Sequence, residues 1–483
     1  MGGHRSRKEA ERPVASRPPP STARAPVGFW LDDAGDDLTP RPPLDGDVHT
    51  DVAVVGAGFT GLWTAREVLR RDPSRSVFVV EADIAGFGAS GRNGAWLTAN
   101  IAVTPAELAR RTTPATARRV VEVMRATVDH VLDACEEDGL DVQARRGGVL
   151  RIARGVHEQP VVEQAYASWR VLGVDDGLEL LDAPTLATRV RVADARAALF
   201  DPHGAAVHPG RLVRGLARSV ERGGGRILEG TTAHSIHPRD GRRGPRVVTD
   251  RGTVTADAVV LATEAWTSQL PDHRRDVLPV YSLIVLTEPL DADTWSSIGW
   301  DGHELLSSQR LTVDYLSRTT DGRILFGGRG APYHLGSRIR PAFDDHGPTH
   351  ALLREQLVSW FPQLAEVAIS HAWGGPVGMP RDWLPNIAYD PATGLGRAIG
   401  YTGQGVGTAN LAGRILGDLI VDGATPFAQL PMVGHRSRRW EPEPLRWLGA
   451  RYVQGAAARL DARAARRGRP PRRVGLAQRL LRH

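Results

Sequence analysis

The apolar pattern of this chain changes period several times. Val52-Ala53-Val54-Val55 is an unbroken apolar run, as expected of a strand covered on both faces. It enters Gly56-Ala57-Gly58-Phe59-Thr60-Gly61, then a helical stretch, then a second apolar run, Val77 to Val80, that ends on Glu81. Helical spacing returns at Pro105 to Arg111 and at Ala115 to Asp138, where Val120, Val123, Val128, Val131 and Leu132 fall at helical intervals. A strand is predicted over 147–153, helices over 158–172 and 209–222, and a strand over 226–229. Residues 246–266 read as a hairpin feeding a buried strand, Ala258 to Leu261. From 277 to 330 the pattern is short and alternating, as in an antiparallel sheet packed on one face. A helix over 348–360, a strand-like segment with sharp turns over 370–390, a strand from Leu395 to Tyr401 and a glycine-led helix complete the core.

This order predicts an α/β fold (α+β overall): a Rossmann-like parallel layer interrupted by a domain built on an antiparallel sheet. The expected division is an unstructured basic segment over 1–25 and a nucleotide-binding layer over 26–145, 201–275 and 376–434. A substrate domain takes 146–200 and 276–375, and a basic C-terminal helix and tail take 435–483. In the helical run Leu445 to Arg467, an apolar stripe of Trp447, Leu448, Tyr452, Val453 and Ala456 is expected to dock on the body; a membrane-surface helix is the alternative.

Charge changes the picture only when divided. From His435 onward there are 14 Arg against three acids, while the chain as a whole carries +6, so residues 1–434 balance to −5. The basic character belongs to the tail and gives no reason to expect nucleic acid on the body. Lys8 is the only lysine, so no lysine is available inside the fold. The single cysteine, Cys135, rules out an intrachain disulfide and any cysteine-rich metal site; no metal is expected. The first 25 residues lack the apolar core of a signal peptide, and no stretch reaches the roughly 20 apolar residues of a membrane span. The expected location is the cytoplasm.

The chemistry begins at 51–81, where strand, glycine loop, helix, strand and terminal acid follow in the order of a dinucleotide site. Gly56 permits the tight turn, Gly58 lets backbone approach a pyrophosphate, and Gly61 lets helix and strand pack closely. The helix N-terminus offers N–H groups and a positive dipole end to phosphate. Glu81, 20 residues past Gly61, is placed to accept ribose hydroxyls.

Four segments, VVGAGFTGLWTA…VFVVE, GASGRNGAW, ADAVVLATEAW and GYTGQGVGTANLAGRILGDLI, together resemble the FAD-dependent oxidoreductases of the D-amino acid oxidase/glycine oxidase/sarcosine oxidase family. FWLDDAG…RPPLDGDVHTDVAVVGAGFTGLW and WGGPVGMPRDWLPNI look most like the gamma-glutamylputrescine oxidoreductase-like members. The resemblance covers residues 28–450 and implies FAD as cofactor. Gly56, Gly58, Phe59, Thr60, Gly61 and Glu81 would hold its ADP half, with the main chain of Ala233 meeting the adenine. Gly88, Ala89, Ser90, Gly91, Arg92, Asn93 and Gly94 match the loop between pyrophosphate and flavin. Thr263 sits in Ala262-Thr263-Glu264, where the family often has Ala-Thr-Gly, so Glu264 puts the close backbone approach there in question. Gly403, Gln404, Gly405, Val406, Gly407 and Thr408 precede a helix whose dipole would face the flavin edge. Relatives that tether FAD use a His or Cys at positions matched by Arg92 and Gly375; the resemblance therefore implies non-covalent FAD.

The implied reaction moves a hydride from the carbon beside an amine nitrogen to the flavin, and the imine hydrolyses to an aldehyde or oxo acid. The implied partners are a small amine or amino acid and an electron acceptor, O2 or another. Where sarcosine oxidase-like members place a lysine for oxygen, this chain has Leu325, leaving Arg329 or His371 as the cation. Oxidase and dehydrogenase both remain open, with oxidase favoured. Tyr281, Arg310, Tyr315, Arg329, His371 and Trp373 are the substrate-pocket candidates, although an Arg in a strand is more often a solvated face or ion pair, a Trp or Tyr more often core, and a His more often structural. A flavoprotein using NAD(P)H would want a second GxGxxG or a CxxC, and neither is present. A non-enzymatic nucleotide-binding scaffold with a basic partner-binding tail is the third reading.

Overall fold

Val52 to Val55 are buried because both faces of their sheet are covered, Val52 and Val54 by the helical core and Ala53 and Val55 by a second apolar cluster with Leu44 and Val247. The strand Val48–Val55 runs parallel to Gly252–Leu261 and to Val77–Val80. Parallel pairing continues outward to Arg226–Leu228 on one side and to Leu395–Ile399 on the other, where Asn386–Asp390 closes the edge antiparallel. Ala233–His237 and Arg246–Thr249 form an antiparallel annex on Gly252–Leu261. Helices Phe59–Arg71, Pro114–Glu137, Pro209–Arg222 and Gly405–Val421 contribute to one large apolar core against this sheet. The computed structural model describes residues 28–470; the predicted segment 1–25, Lys8 and the end of the basic tail lie outside the described residues.

The second sheet has eight strands in the spatial order Ile369–Met379, Leu278–Thr287, Ile324–Arg329, Asp314–Arg318, Leu305–Ser308, Val149–Arg154, Ala195–Asp201 and Glu179–Asp182. The antiparallel expectation fails at one seam, where Leu305–Ser308 runs parallel to Val149–Arg154. There two chain segments distant in sequence meet edge to edge, so no tight turn forces opposite directions. The predicted boundaries at 200 and 375 both fall inside strands, since Ala195–Asp201 and Ile369–Met379 are continuous ladders. One face of this sheet packs on Ala292–Ile298 and Gly347–Trp360. The other turns toward the first sheet.

The helix Leu445–Arg467 docks differently from the predicted stripe. Trp447 and Ala456 turn inward, but Leu448 and Tyr452 are exposed, and the buried line runs through Arg446, Ala456, Asp461 and Ala464. The helix is held largely by polar contacts. Asp461 accepts from the Leu311 and Thr312 N–H groups at 2.9 and 2.8 Å, and Gln454 Nε2 donates to the Ala331 carbonyl at 3.1 Å. Among the described residues no helix is long and apolar enough to cross a membrane, and no cluster of His, Cys, Asp and Glu could hold a metal.

Candidate active site

The glycine loop leaves no space for side chains. Gly56 has φ +106°, and a Cβ there would lie 2.7 Å from the Ala262 carbonyl oxygen; one on Gly61 would lie 1.9 Å from the Gly56 carbonyl oxygen. Strand end, turn and helix start are thus pressed together, the arrangement that points helix N–H groups at a bound phosphate. Glu81 accepts from the N–H of Ala57 at 2.8 Å and of Asp83 at 3.0 Å, one on each carboxylate oxygen. Each oxygen keeps a lone pair for a ribose hydroxyl. Burial pushes the Glu81 carboxyl up to about 7 against those two N–H donors. The Thr231 N–H donates to the Glu81 carbonyl at 2.8 Å, which brings Ala233, at the start of its strand, to the same end of the site.

The second loop closes on the first. Ser90 Oγ accepts the Phe59 N–H at 2.8 Å, and Ala89–Gly91 form a single helical turn. Asn93 braces that turn through Nδ2 to the Ser90 carbonyl at 2.9 Å. Arg92 is buried, donating to the Phe87 carbonyl at 2.7 Å and pairing with Asp344. A Cβ on Gly375 would lie 3.3 Å from Arg92 Cδ, so the two matched tethering positions are neighbours, and neither carries a nucleophile. Cys135 is buried elsewhere with its thiol pushed up to about 12 by burial.

The third loop joins both. Thr60 Oγ1 and Tyr401 Oη are 2.9 Å apart, Thr98 Oγ1 donates to Gln404 Oε1 at 3.1 Å, and Gly407 lies against the Thr98 carbonyl. Thr408 Oγ1 donates to the Gln404 carbonyl at 2.7 Å inside the first turn of Gly405–Val421. Gly403 lies beside Arg329 and Val406 is buried. Glu264 does not disrupt the approach at Thr263, whose Cα is 3.5 Å from where a Gly56 Cβ would stand. It adopts φ +45°, and its half-buried carboxylate accepts from the N–H groups of Gly378, of Gly400 at 3.2 Å and of Tyr401 at 3.1 Å. Burial pushes this carboxyl up to about 7.

Beside the second and third loops a cavity of about 620 Å³ opens between the inner face of the second sheet and the helices Pro105–Arg111, Pro114–Glu137 and Gln159–Leu172. Arg92, Gly94, Gly375, Thr402, Gly403 and Gln404 line its near end. Of the pocket candidates, Arg310, Tyr315 and Arg329 line it. Tyr281, His371 and Trp373 do not. Tyr281 points to the opposite face of the sheet, 6.1 Å from the Phe343 ring, so its strand neighbour Ser282 faces the cavity instead. His371 is exposed, stands edge-on to Phe29 at 5.2 Å and meets Ser370 Oγ at 2.9 Å. Trp373 is buried behind the second loop and donates to the Arg92 carbonyl at 3.0 Å.

Arg329 Nη2 donates to the Thr402 carbonyl at 3.0 Å. No carboxylate among the described residues pairs with it, and burial lowers its pKa. Tyr315 Oη and Ser282 Oγ are 3.0 Å apart beside it. Leu325 packs with Trp30, Ile284 and Leu286, and brings no cation. Sequence reasoning missed Ser282, Trp96, Arg151 and Ser307; the alternation in 147–153, with Arg151 between Leu150 and Ile152, was the available signal for Arg151.

Residues 51–419 match the model of the family described as FAD dependent oxidoreductase. The chain is 30% identical over 387 residues to a protein named probable oxidoreductase OrdL of Rhizobium meliloti, covering 80% of this chain and 86% of that one. It is 29% identical over 419 residues to gamma-glutamylputrescine oxidoreductase of Escherichia coli, covering 86% and 94%. The crystal structure of glycine oxidase from Geobacillus kaustophilus superposes with a TM-score of 0.66 at 21% identity, covering 81% of this chain and 99% of that one. The chain belongs to the FAD dependent oxidoreductase family, and FAD is its cofactor.

Proposed function

We propose that the protein oxidises an amine or amino acid at the carbon bonded to nitrogen, with FAD held non-covalently along the three glycine loops. The observation that carries this reading is Arg329, a half-buried guanidinium without a carboxylate partner among the described residues, on the wall of a cavity that reaches the second and third of those loops. Arg329 has donors to spare for a substrate carboxylate, which it can take as a two-pronged pair. Tyr315 and Ser282 offer hydroxyls next to it, and Gly375 and Gly403 let substrate lie close to backbone. Gly56, Gly58, Gly61, Glu81 and Ser90 hold the ADP end, and Arg92, Asn93, Gln404 and Thr408 shape the loops at the other. Bound FAD supplies the two-electron acceptor. The residues contribute position: they fix the amine, exclude water from the reacting carbon and orient its C–H bond. The names of relatives support the class, since one acts on gamma-glutamylputrescine and another is a glycine oxidase. For reoxidation the reading is O2, with Arg329 as the cation on the cavity wall.

The test is purified yellow protein, mixed anaerobically with a panel of amines and amino acids. Bleaching by a panel member supports the reading, and parallel peroxide and dye-reduction assays separate oxygen from another acceptor. Bleaching only by NADPH, or a colourless protein that FAD does not reconstitute, would overturn it.

A further inference from the structure

The cavity is longer than one amino acid head group needs. Its floor is a row of residues crossing the second sheet: Arg151 pairs in register with Ser307, the next strand brings Tyr315, and Tyr315 pairs with Gly327, two residues before Arg329. The row crosses three strand spacings, so Arg151 stands about 14 Å from the strand of Arg329. The Tyr315 ring lies over Gly327 and bridges the gap. Gln164 and Ser168 on the helix Gln159–Leu172 close the far end from above, and Arg310 enters from the loop after Ser308.

At this far end two guanidiniums stand at ion-pair distance from acids but make no side-chain hydrogen bond to them. Arg151 Nη1 is 3.7 Å from Asp201 Oδ2, an ion pair beyond hydrogen-bond range, and the nitrogen is buried without a hydrogen-bond partner. Asp201 is occupied by His203, accepting from its N–H at 3.1 Å and lying 3.0 Å from its Nδ1. Arg310 Nε is 3.8 Å from Asp461 Oδ2, and Asp461 is occupied by the Leu311 and Thr312 N–H groups and by Thr312 Oγ1 at 2.6 Å. Asp314 accepts from Ser308 N–H and Oγ, both at 2.8 Å, and Glu158 from the Gln309 N–H at 3.2 Å. The carboxylates pin the loop and strand ends, and Arg151 and Arg310 line the cavity beside Asp314, whose own carboxylate is taken up by Ser308. A buried donor without an acceptor is costly, and a ligand that supplies one removes that cost.

We infer that Arg151 and Arg310, with Ser307 and Gln164, form a second subsite that receives a carboxylate, so that the preferred substrates are amines whose carboxylate lies several carbons from the reacting nitrogen. This rests on the amine-oxidising reading above. A short amino acid would occupy only the Arg329 end. A longer ω-amino carboxylate spans the floor, its chain lying along Tyr315.

The test compares β-alanine, 6-aminohexanoate and 8-aminooctanoate with hexylamine, octylamine and 6-aminohexanamide on the FAD-loaded enzyme. At least one of the two longer amino carboxylates should exceed its alkylamine, and 6-aminohexanoate its amide, by at least about tenfold in kcat/KM, with β-alanine gaining nothing from the subsite. R151M and, separately, R310M should collapse that ratio toward one. Equal kcat/KM for charged and uncharged tails would overturn the subsite and leave the amine reading intact. Binding of suberate, read by the change in flavin absorbance, needs no turnover. It should weaken at least about tenfold in R151M, while acetate binding should not change. Suberate binding that survives both substitutions would overturn the subsite. Loss of suberate binding in a protein that oxidises no amine would uphold the subsite and overturn the amine reading.

Discussion

Arg329 donates to the carbonyl oxygen of Thr402 at 3.0 Å, so the cation of the substrate sheet is anchored to the turn that launches the last core helix. The same contact leaves its other donors to the cavity. R329Q is expected to keep FAD and the fold and to lose kcat/KM on amino acids by about 30-fold or more, the effect of removing one partner of a buried charged pair. R329K should recover only part of this, because an ammonium cannot make the two-pronged contact. Steady-state kinetics alongside the flavin spectrum checks both.

Gly58 faces Ser90, and a Cβ there would stand 3.0 Å from Ser90 Oγ, the acceptor of the Phe59 N–H. In G58A the new methyl should occupy space needed at the pyrophosphate and weaken FAD binding by about tenfold or more with little change in apoprotein Tm. S90A, which removes only one hydrogen bond of about 1 kcal/mol, should be milder. Titration of apoprotein with FAD reads both. With Arg92 and Gly375 at the tethering positions, acid precipitation of the wild type should release all of its flavin into the supernatant.

Glu264 gives stability a direction in pH. Its ordinary value is 4.5, and burial holds it near 7 in the folded protein. Across that window the unfolded chain has lost the proton and the folded protein keeps it, so stability falls as pH rises from about 4.5 to about 7 and then levels. Glu81 and Glu158, also pushed up to about 7, act in the same sense. Urea unfolding of apoprotein at several pH values should show a shallower fall in E264Q, by at most about 1.4 kcal/mol per pH unit.

Asp461 ties the C-terminal helix to the loop carrying Arg310. D461A should cost about 1–3 kcal/mol, the penalty for leaving those N–H groups unpaired. It should also speed hydrogen exchange at Leu311 and Thr312, while exchange in the strand Val48–Val55 stays slow; exchange by mass spectrometry resolves the two regions.

Several elements are legible in the chain because their signals are local. Val52 to Val55 are apolar at every position since both faces of their sheet are covered, and Gly61 is required by a contact within one βα turn, whereas Gly56 answers to its own φ of +106° and to the Ala262 carbonyl of the neighbouring strand. Helix Pro105–Arg111 has the bounds its spacing predicts. The cofactor loops were readable for the same reason, as short runs whose composition answers to close backbone approach. The substrate side was less so. Tyr281 and Ser282 are adjacent in a strand with both neighbours apolar or aromatic, and only the packing of Phe343 and His334 decides which of them turns from the cavity.

The sequence by itself determined the nucleotide layer, the interleaved second sheet and the family, because glycine spacing and apolar period act over a few residues. Tertiary structure alone decided the rest. It put His371 on the surface and Trp373 behind the second loop. It turned Glu264 into a brace between Gly378 and Tyr401, and set Arg151, Tyr315 and Arg329 along one floor. Those outcomes depend on which strands become neighbours, and contacts between residues more than a hundred positions apart leave no periodicity in the chain.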